Sequence, residues 1–135
     1  MARSPTDLDD ADLDFLAERH LGTLTTLRAD GRPHVVAIAF SFDPATGTAR
    51  IISNAASQKI RNVERTGWAV VAQVDGPRWL SLEGPAVVER DPGAVAEAVA
   101  GFERRYRPTS ENPRRVAIAI SVERILGRAT VSRPA

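Results

Sequence analysis

The sequence has no cysteine in 135 residues. Disulfides, thiolate nucleophiles and cysteine-held metals are therefore excluded. Histidine is almost as scarce: His20 and His34 are the only two. Both lie beside expected turns, nothing around them supplies metal-ligand spacing, and no metal is expected. There is no P-loop, no dinucleotide fingerprint and no arguable Ser–His–Asp arrangement. Long apolar runs are missing too. The longest, "VVAIAF", is far short of a membrane span. The opening "MARSPTDLDDADLDFLAER" is acidic and lacks the apolar centre of a secretory signal. A cytoplasmic protein without a membrane partner is the expectation. A net charge of +1 gives no global field for nucleic acid, and none is expected as a partner. With so few acid–base groups in any recognisable arrangement, an enzyme built on this chain needs a cofactor to carry its chemistry.

What is present reads as one globular domain spanning residues 1–135. Leu8, Leu13, Phe15 and Leu16 recur with helical spacing behind a cluster of aspartates, which the helix dipole favours at that end. "HLGTLTTLRADGRPHVVAIAFSFDPATGTARIISN" reads as three strands separated by the turns "RADGRPH" and "DPATGT". The helix "SQKIRNVER" follows, then the strand "WAVVAQV" and the turn "DGPR". The long strand "WLSLEGPAVVER" carries Gly84 and Pro85 in its middle, the mark of a bulge or a bend at a barrel corner. "PGAVAEAVAGFERRYR" is a helix with Val95, Val99, Phe102 and Tyr106 as its apolar stripe, and "RRVAIAISVERILGRATV" closes the chain as a strand. About six strands in hairpin order, with short helices at the connections, make a mainly antiparallel sheet. At this length the usual solution is one small closed or split barrel.

Two strands show an unusual alternation. Val36, Ile38, Phe40 and Phe42 oppose Val35, Ala37, Ala39 and Ser41. Val116, Ile118, Ile120 and Val122 oppose Arg115, Ala117, Ala119 and Ser121. The bulky faces are core. The small faces either lie under a covering helix or leave room for a planar ligand or a second subunit.

The start of "SQKIRNVER" is cationic. Ser57 is a candidate N-cap, with a side chain able to accept from a first-turn amide. Lys59 then falls in the first turn, where a cation is unfavourable unless an anion is bound. Asn62 shares its face at i+3. The same segment also reads as a solvated basic helix. Trp79 lies on a non-core face with Ser81 and Glu83, placed to stack on a ring, to anchor a dimer or simply to pack. Trp68 reads as core. Arg104, Arg105 and Arg107 give the long helix "PGAVAEAVAGFERRYR" a basic end that the dipole favours, and they could cover an acidic ligand.

Taken together, "LGTLTTLRADGRPHVVAIAFSFD", "SQKIRNVER" and "VDGPRWLSLEGPAVVE" resemble the split β-barrel flavin and deazaflavin oxidoreductases, the pyridoxamine 5′-phosphate oxidase-like superfamily. The pairing of "SQK…N" with "DGxRWLSLEG" is most similar to the branch that uses the deazaflavin coenzyme F420, which includes biliverdin reductases. The resemblance runs from about Leu13 to the final strand. It implies a small antiparallel split barrel with a few short helices, and a homodimer with a cofactor site at each subunit interface. It places Ser57, Gln58, Lys59 and Asn62 near the coenzyme phosphate. It places the backbone of Val36, Ala37, Ile38, Ala39 and Phe40 along the deazaflavin ring, and Trp79 at the ring end of the pocket. The implied activity is hydride transfer from reduced F420 to an unsaturated acceptor, with biliverdin, reduced to bilirubin, the acceptor suggested. FMN is the alternative cofactor, and a non-catalytic deazaflavin or tetrapyrrole binder the alternative role. No catalytic residue is singled out; a bound water, Arg115 and Tyr106 are the candidates for proton delivery.

Overall fold

The computed structural model describes residues 2–131; residue 1 and residues 132–135 of the expected domain lie outside the described residues. After a short 3-10 turn (Pro5–Asp7), α1 (Asp10–Ala17) starts on a reciprocal cap. The Asp9 carboxylate accepts from the Asp12 amide at 2.9 Å, and Asp12 accepts from the Asp9 amide at 3.1 Å. Then come β1 (Gly22–Leu27), β2 (Pro33–Ile38), β3 (Ser41–Asp43), β4 (Thr48–Asn54), α2 (Gln58–Thr66), β5 (Trp68–Asp75), β6 (Arg78–Glu89), α3 (Pro92–Arg105), β7 (Arg115–Ser121) and β8 (Arg124–Arg128).

Eight strands form one antiparallel sheet in the order β2-β1-β5-β6-β7-β4-β3, with β8 also paired to β6. The ends of this path, β2 and β3, are neighbours in sequence, joined only by Ala39 and Phe40. The sheet is thus a split barrel whose open seam the chain itself crosses. The core fills its inside with Leu24, Phe40, Ile51, Leu80, Leu82 and Ile118, each at most 2% exposed. Burying such side chains contributes about 1.5–3 kcal/mol each.

The bend expected at Gly84–Pro85 is where β6 changes partners. Residues 78–85 pair with β5, and 86–89 pair with β7. On the edge of β6 away from β5, β7 and β8 form one line interrupted at Val122 and Glu123, opposite the bend. A β-carbon at Gly84 would overlap the Ser121 carbonyl oxygen, so only glycine permits that approach.

Five expectations change. The closing segment expected as one strand breaks at Val122 and Glu123 into β7 and β8, opposite the bend in β6. The segment from His20 to Asn54 holds four strands rather than three. The strand expected over Val35–Phe42 breaks at Ala39–Phe40, because the end of α3 takes hold of the Phe40 backbone. Trp68 points outward and donates to Glu83 at 3.0 Å, since Ala69, Val71 and Gln73 take the inner face of β5. The helix α3 seats Ala98 and Gly101 on the sheet and leaves Val95, Val99 and Phe102 half-exposed. As a result it covers the small face of β7, where Ala117 is buried, while Val35 on β2 remains 57% exposed.

Candidate functional site

The segment after β4 turns into α2 through Asn54, whose side chain accepts from the Ala56 amide at 3.1 Å. Ser57 has the backbone of an N-cap but makes no side-chain cap. Its hydroxyl is paired with Ser53 instead, at 2.9 Å. The first turn of α2 therefore lacks its side-chain acceptor, and it contains no acidic residue.

Of the cations here, two are spoken for. Arg61 donates to the Ala56 carbonyl (2.8 Å) and to Gln58 (2.6 Å). Arg65 donates to the Leu27 carbonyl and to Asn62. Lys59 is different. It is half-buried, has no hydrogen bond or ion pair among the described residues, and burial pushes its pKa below the ordinary value. A desolvated ammonium beside free helix amides is a site where a phosphate would be favourable.

Asn62 faces inward and is fully buried. Its carbonyl accepts from Gln58 (2.8 Å) and Arg65 (3.2 Å), and its amide donates to Thr26 (3.1 Å). It fixes α2 to β1, so the side chains beside Lys59 are held in place from below. Thr26 is paired in register with His34 of β2. His34 Nδ1 is buried without a hydrogen-bond partner, so an unpaired polar atom lies on the strand next to the one that anchors α2. No local pattern signals this, because strand pairing brings His34 there.

β2 ends the sheet, so one of its edges has no strand partner among the described residues. Ile38 and Phe40 face the core, Val36 and Ala39 are half-buried, and Ala37 is exposed. At Phe40 the edge is already occupied. The Tyr106 hydroxyl accepts from its amide (3.3 Å), and Arg105 donates to its carbonyl (2.6 Å). That leaves Val36–Ala39 as the stretch open to a ring. Leu21, Leu27, Val35, Trp68, Val74 and Trp79 extend one apolar outer face from this edge across β1, β5 and β6. Trp79 is 43% exposed and its ring lies against Gly127, where a β-carbon would strike it. It stands three strands away from β2, about 14 Å at ordinary strand spacing. Within this chain it does not reach the β2 edge.

The two side chains weighed for proton delivery are both engaged. Arg115 holds the Ser110 carbonyl (2.9 Å) and Thr109 (3.2 Å). The Tyr106 proton lies between the carbonyls of His20 (2.6 Å) and Phe40 (3.1 Å), and burial pushes the phenol pKa up. Arg105 also turns inward. It donates to the Glu18 carbonyl (2.7 Å) and to Gln73, which is 1% exposed and donates in turn to the Phe15 carbonyl (2.8 Å). Glu18, His20 and Asp75 come close enough together to suggest a metal. Arg78 already bridges the two carboxylates, with contacts of 2.7 Å to Glu18 and 2.5 Å to Asp75.

Beside this network, a cavity of about 370 Å³ is lined by Arg19, His20, Leu21, Ala39, Phe102, Tyr106 and Arg107. Ala39 joins it to the β2 edge. Arg19 and Leu21 were not among the residues expected from sequence. They lie in the connection after α1, which has no periodic signal.

Comparison with known proteins agrees with this architecture. Residues 8–129 match the family described as pyridoxamine 5′-phosphate oxidase. The chain is 54% identical over 129 residues to the F420H(2)-dependent biliverdin reductase of Mycobacterium tuberculosis (strain CDC 1551 / Oshkosh), covering 96% of this chain and 94% of that protein. Among solved structures, a conserved hypothetical protein of Mycobacterium tuberculosis superposes with a TM-score of 0.74 at 27% identity, over 93% of this chain and 87% of the other. An F420 reductase superposes with a TM-score of 0.70 at 25% identity, over 84% and 94%. With nearly its whole length matched, the chain belongs to the pyridoxamine 5′-phosphate oxidase family.

Proposed function

We propose that this protein is a homodimeric reductase that uses reduced F420 and delivers a hydride to an unsaturated acceptor, with biliverdin as that acceptor. The observation that carries the reading is Lys59: a half-buried ammonium with no counter-ion among the described residues, at the start of α2, which has no side-chain cap. Its environment suits a phosphate, and the unpaired His34 Nδ1 and the free edge of β2 suit a ligand continuing past it. The relative named as an F420H(2)-dependent biliverdin reductase, at 54% identity, supports the choice of coenzyme and acceptor.

In this reading Lys59 and the first amides of α2 hold the phosphate, with Ser57 and Gln58 shaping the turn. Asn62 keeps that turn in place from the buried side. Val36, Ala37, Ile38 and Ala39 form the edge and small surface against which the deazaflavin ring lies. When bound, the reduced coenzyme supplies the hydride. The protein contributes position, holding donor and acceptor carbons in register and excluding side reactions. The acceptor's proton comes from water, since the Tyr106 proton is committed to backbone carbonyls.

The apolar outer face supports a second subunit, whose Trp79 would reach the pocket that the first subunit's Trp79 does not. No helix among the described residues is long and apolar enough to cross a membrane.

Titration with F420 and with FMN tests the cofactor. F420 binding with little FMN binding is expected, and a protein that purifies yellow with FMN overturns the choice. Mixing enzyme, reduced F420 and biliverdin should produce the bilirubin band above the uncatalysed rate; binding without turnover would make the protein a sequestering module. Sedimentation should give a dimer that Trp79→Ala weakens, and a fully active monomer would remove the subunit assignment.

A further inference from the structure

The cavity beside Ala39 has a composition that the coenzyme reading does not use. Phe102 and Tyr106 give it an aromatic wall, their ring centroids 5.2 Å apart and tilted by 32°. Leu21 and Ala39 add apolar surface. Two guanidinium groups, Arg19 and Arg107, stand at its margin. Arg19 has no hydrogen bond or ion pair among the described residues. Arg107 reaches only the neighbouring Pro108 carbonyl, at 3.5 Å, and lies 5.7 Å from the Phe102 ring centroid. Neither meets a carboxylate among the described residues.

The acids nearby already have partners within the protein, and the Glu103 carboxylate accepts from the Thr109 amide at 2.9 Å. Arg78 holds both Glu18 and Asp75, and His20 contacts the same two carboxylates at 3.2 and 3.7 Å. A further cation, Arg105, sits 5.2 Å from the Tyr106 ring centroid. Four guanidinium groups, Arg19, Arg78, Arg105 and Arg107, stand against the three carboxylates of Glu18, Asp75 and Glu103, so the local balance is positive over an apolar floor. Guanidinium forks bind carboxylates in bidentate fashion, and a ring seated on Phe102 and Tyr106 would bring its acidic arms to the rim. The volume, about 370 Å³, lies at the small end of ligand sites and has room for one ring and an arm rather than a whole linear tetrapyrrole.

We propose that this cavity is a carboxylate subsite, in which Arg19 and Arg107 bind the acidic arm of a ring-bearing ligand seated on Phe102 and Tyr106. It deepens the reductase reading, on which it rests for the reaction served: Ala39 joins the cavity to the ring-bearing edge, so an acceptor held here reaches that edge. Carboxylates occur both on a propionate-bearing acceptor and on the acidic tail of F420, and the test separates them.

The experiment measures binding without turnover. Biliverdin and its dimethyl ester are titrated by absorbance into the coenzyme-free wild type, into R19A/R107A and into Arg114→Ala, which removes an exposed arginine outside the cavity; F420 is titrated separately by fluorescence. Because Arg19 and Arg107 are exposed and barely bonded, the double variant is expected to fold, which circular dichroism checks. The expected result is biliverdin binding weakened about tenfold or more in the double variant alone, with ester and F420 binding unchanged. A loss confined to F420 would still place a carboxylate in the cavity, but assign it to the coenzyme tail. Equal affinities for all ligands in all three proteins overturn the subsite. Failure of F420 to bind the wild type would count against the reductase reading without touching a biliverdin-selective loss.

Discussion

Lys59 and Arg105 are both cations at helix ends, and the structure treats them in opposite ways. Arg105, at the end of α3, spends its guanidinium inside the protein on the Glu18 and Phe40 carbonyls and on the buried Gln73. Lys59, in the first turn of α2, is half-buried and bonded to nothing described. Burial lowers the pKa of both, so both carry a desolvation cost. In one case internal acceptors offset that cost. In the other the offset must come from outside. A cation is thus informative about ligands through what it lacks, and position at a helix end alone does not discriminate.

The comparison can be broken most forcefully at Arg105. Arg105→Ala removes the donor from Gln73 and from two carbonyls, and should cost about 3 kcal/mol of stability in chemical denaturation. A loss below about 0.5 kcal/mol would show that the network contributes nothing and that Arg105 resembles Lys59 after all.

Lys59→Ala should do the reverse. Coenzyme affinity should fall about tenfold, the worth of a charged hydrogen bond, while the unfolding free energy stays within about 0.5 kcal/mol. Lys59→Arg should retain much of the affinity. An unchanged dissociation constant for Lys59→Ala would remove the phosphate assignment.

The smallest effect is a pH trend. Because the folded-state pKa of Lys59 lies below its ordinary value of 10.5, the unfolded chain holds more protons in the interval between them. Stability of the ligand-free protein therefore gains a small contribution as pH rises through that interval. Coenzyme binding should weaken over the same interval as the ammonium is lost. Lys59→Ala should abolish both trends relative to wild type; parallel trends would mean that another group titrates.

The cationic helix start was legible because it breaks a local rule: a lysine where the dipole wants an acid. The split barrel was legible in the hairpin order of the strands and in the Gly84–Pro85 bend. What escaped was decided by distant partners. Asn62 shares a helix face with Lys59 by spacing, yet Thr26, far along the chain, draws it inside. The small faces of β2 and β7 are alike in sequence, and only the path of α3 decides which is covered. Trp68 looked like core because β5 has apolar residues on both faces. Its inner face is set by Gln73, a polar residue buried for the sake of Arg105 and Phe15.

The strand β6 also bears on how the molecule comes apart. It pairs with β5 along one edge and with the β7–β8 line along the other. No boundary exists at which half the ladder can unzip alone, so amide protons at Leu80, Leu82 and Val88 should exchange with solvent only when the whole chain opens, and melting should follow a single cooperative step.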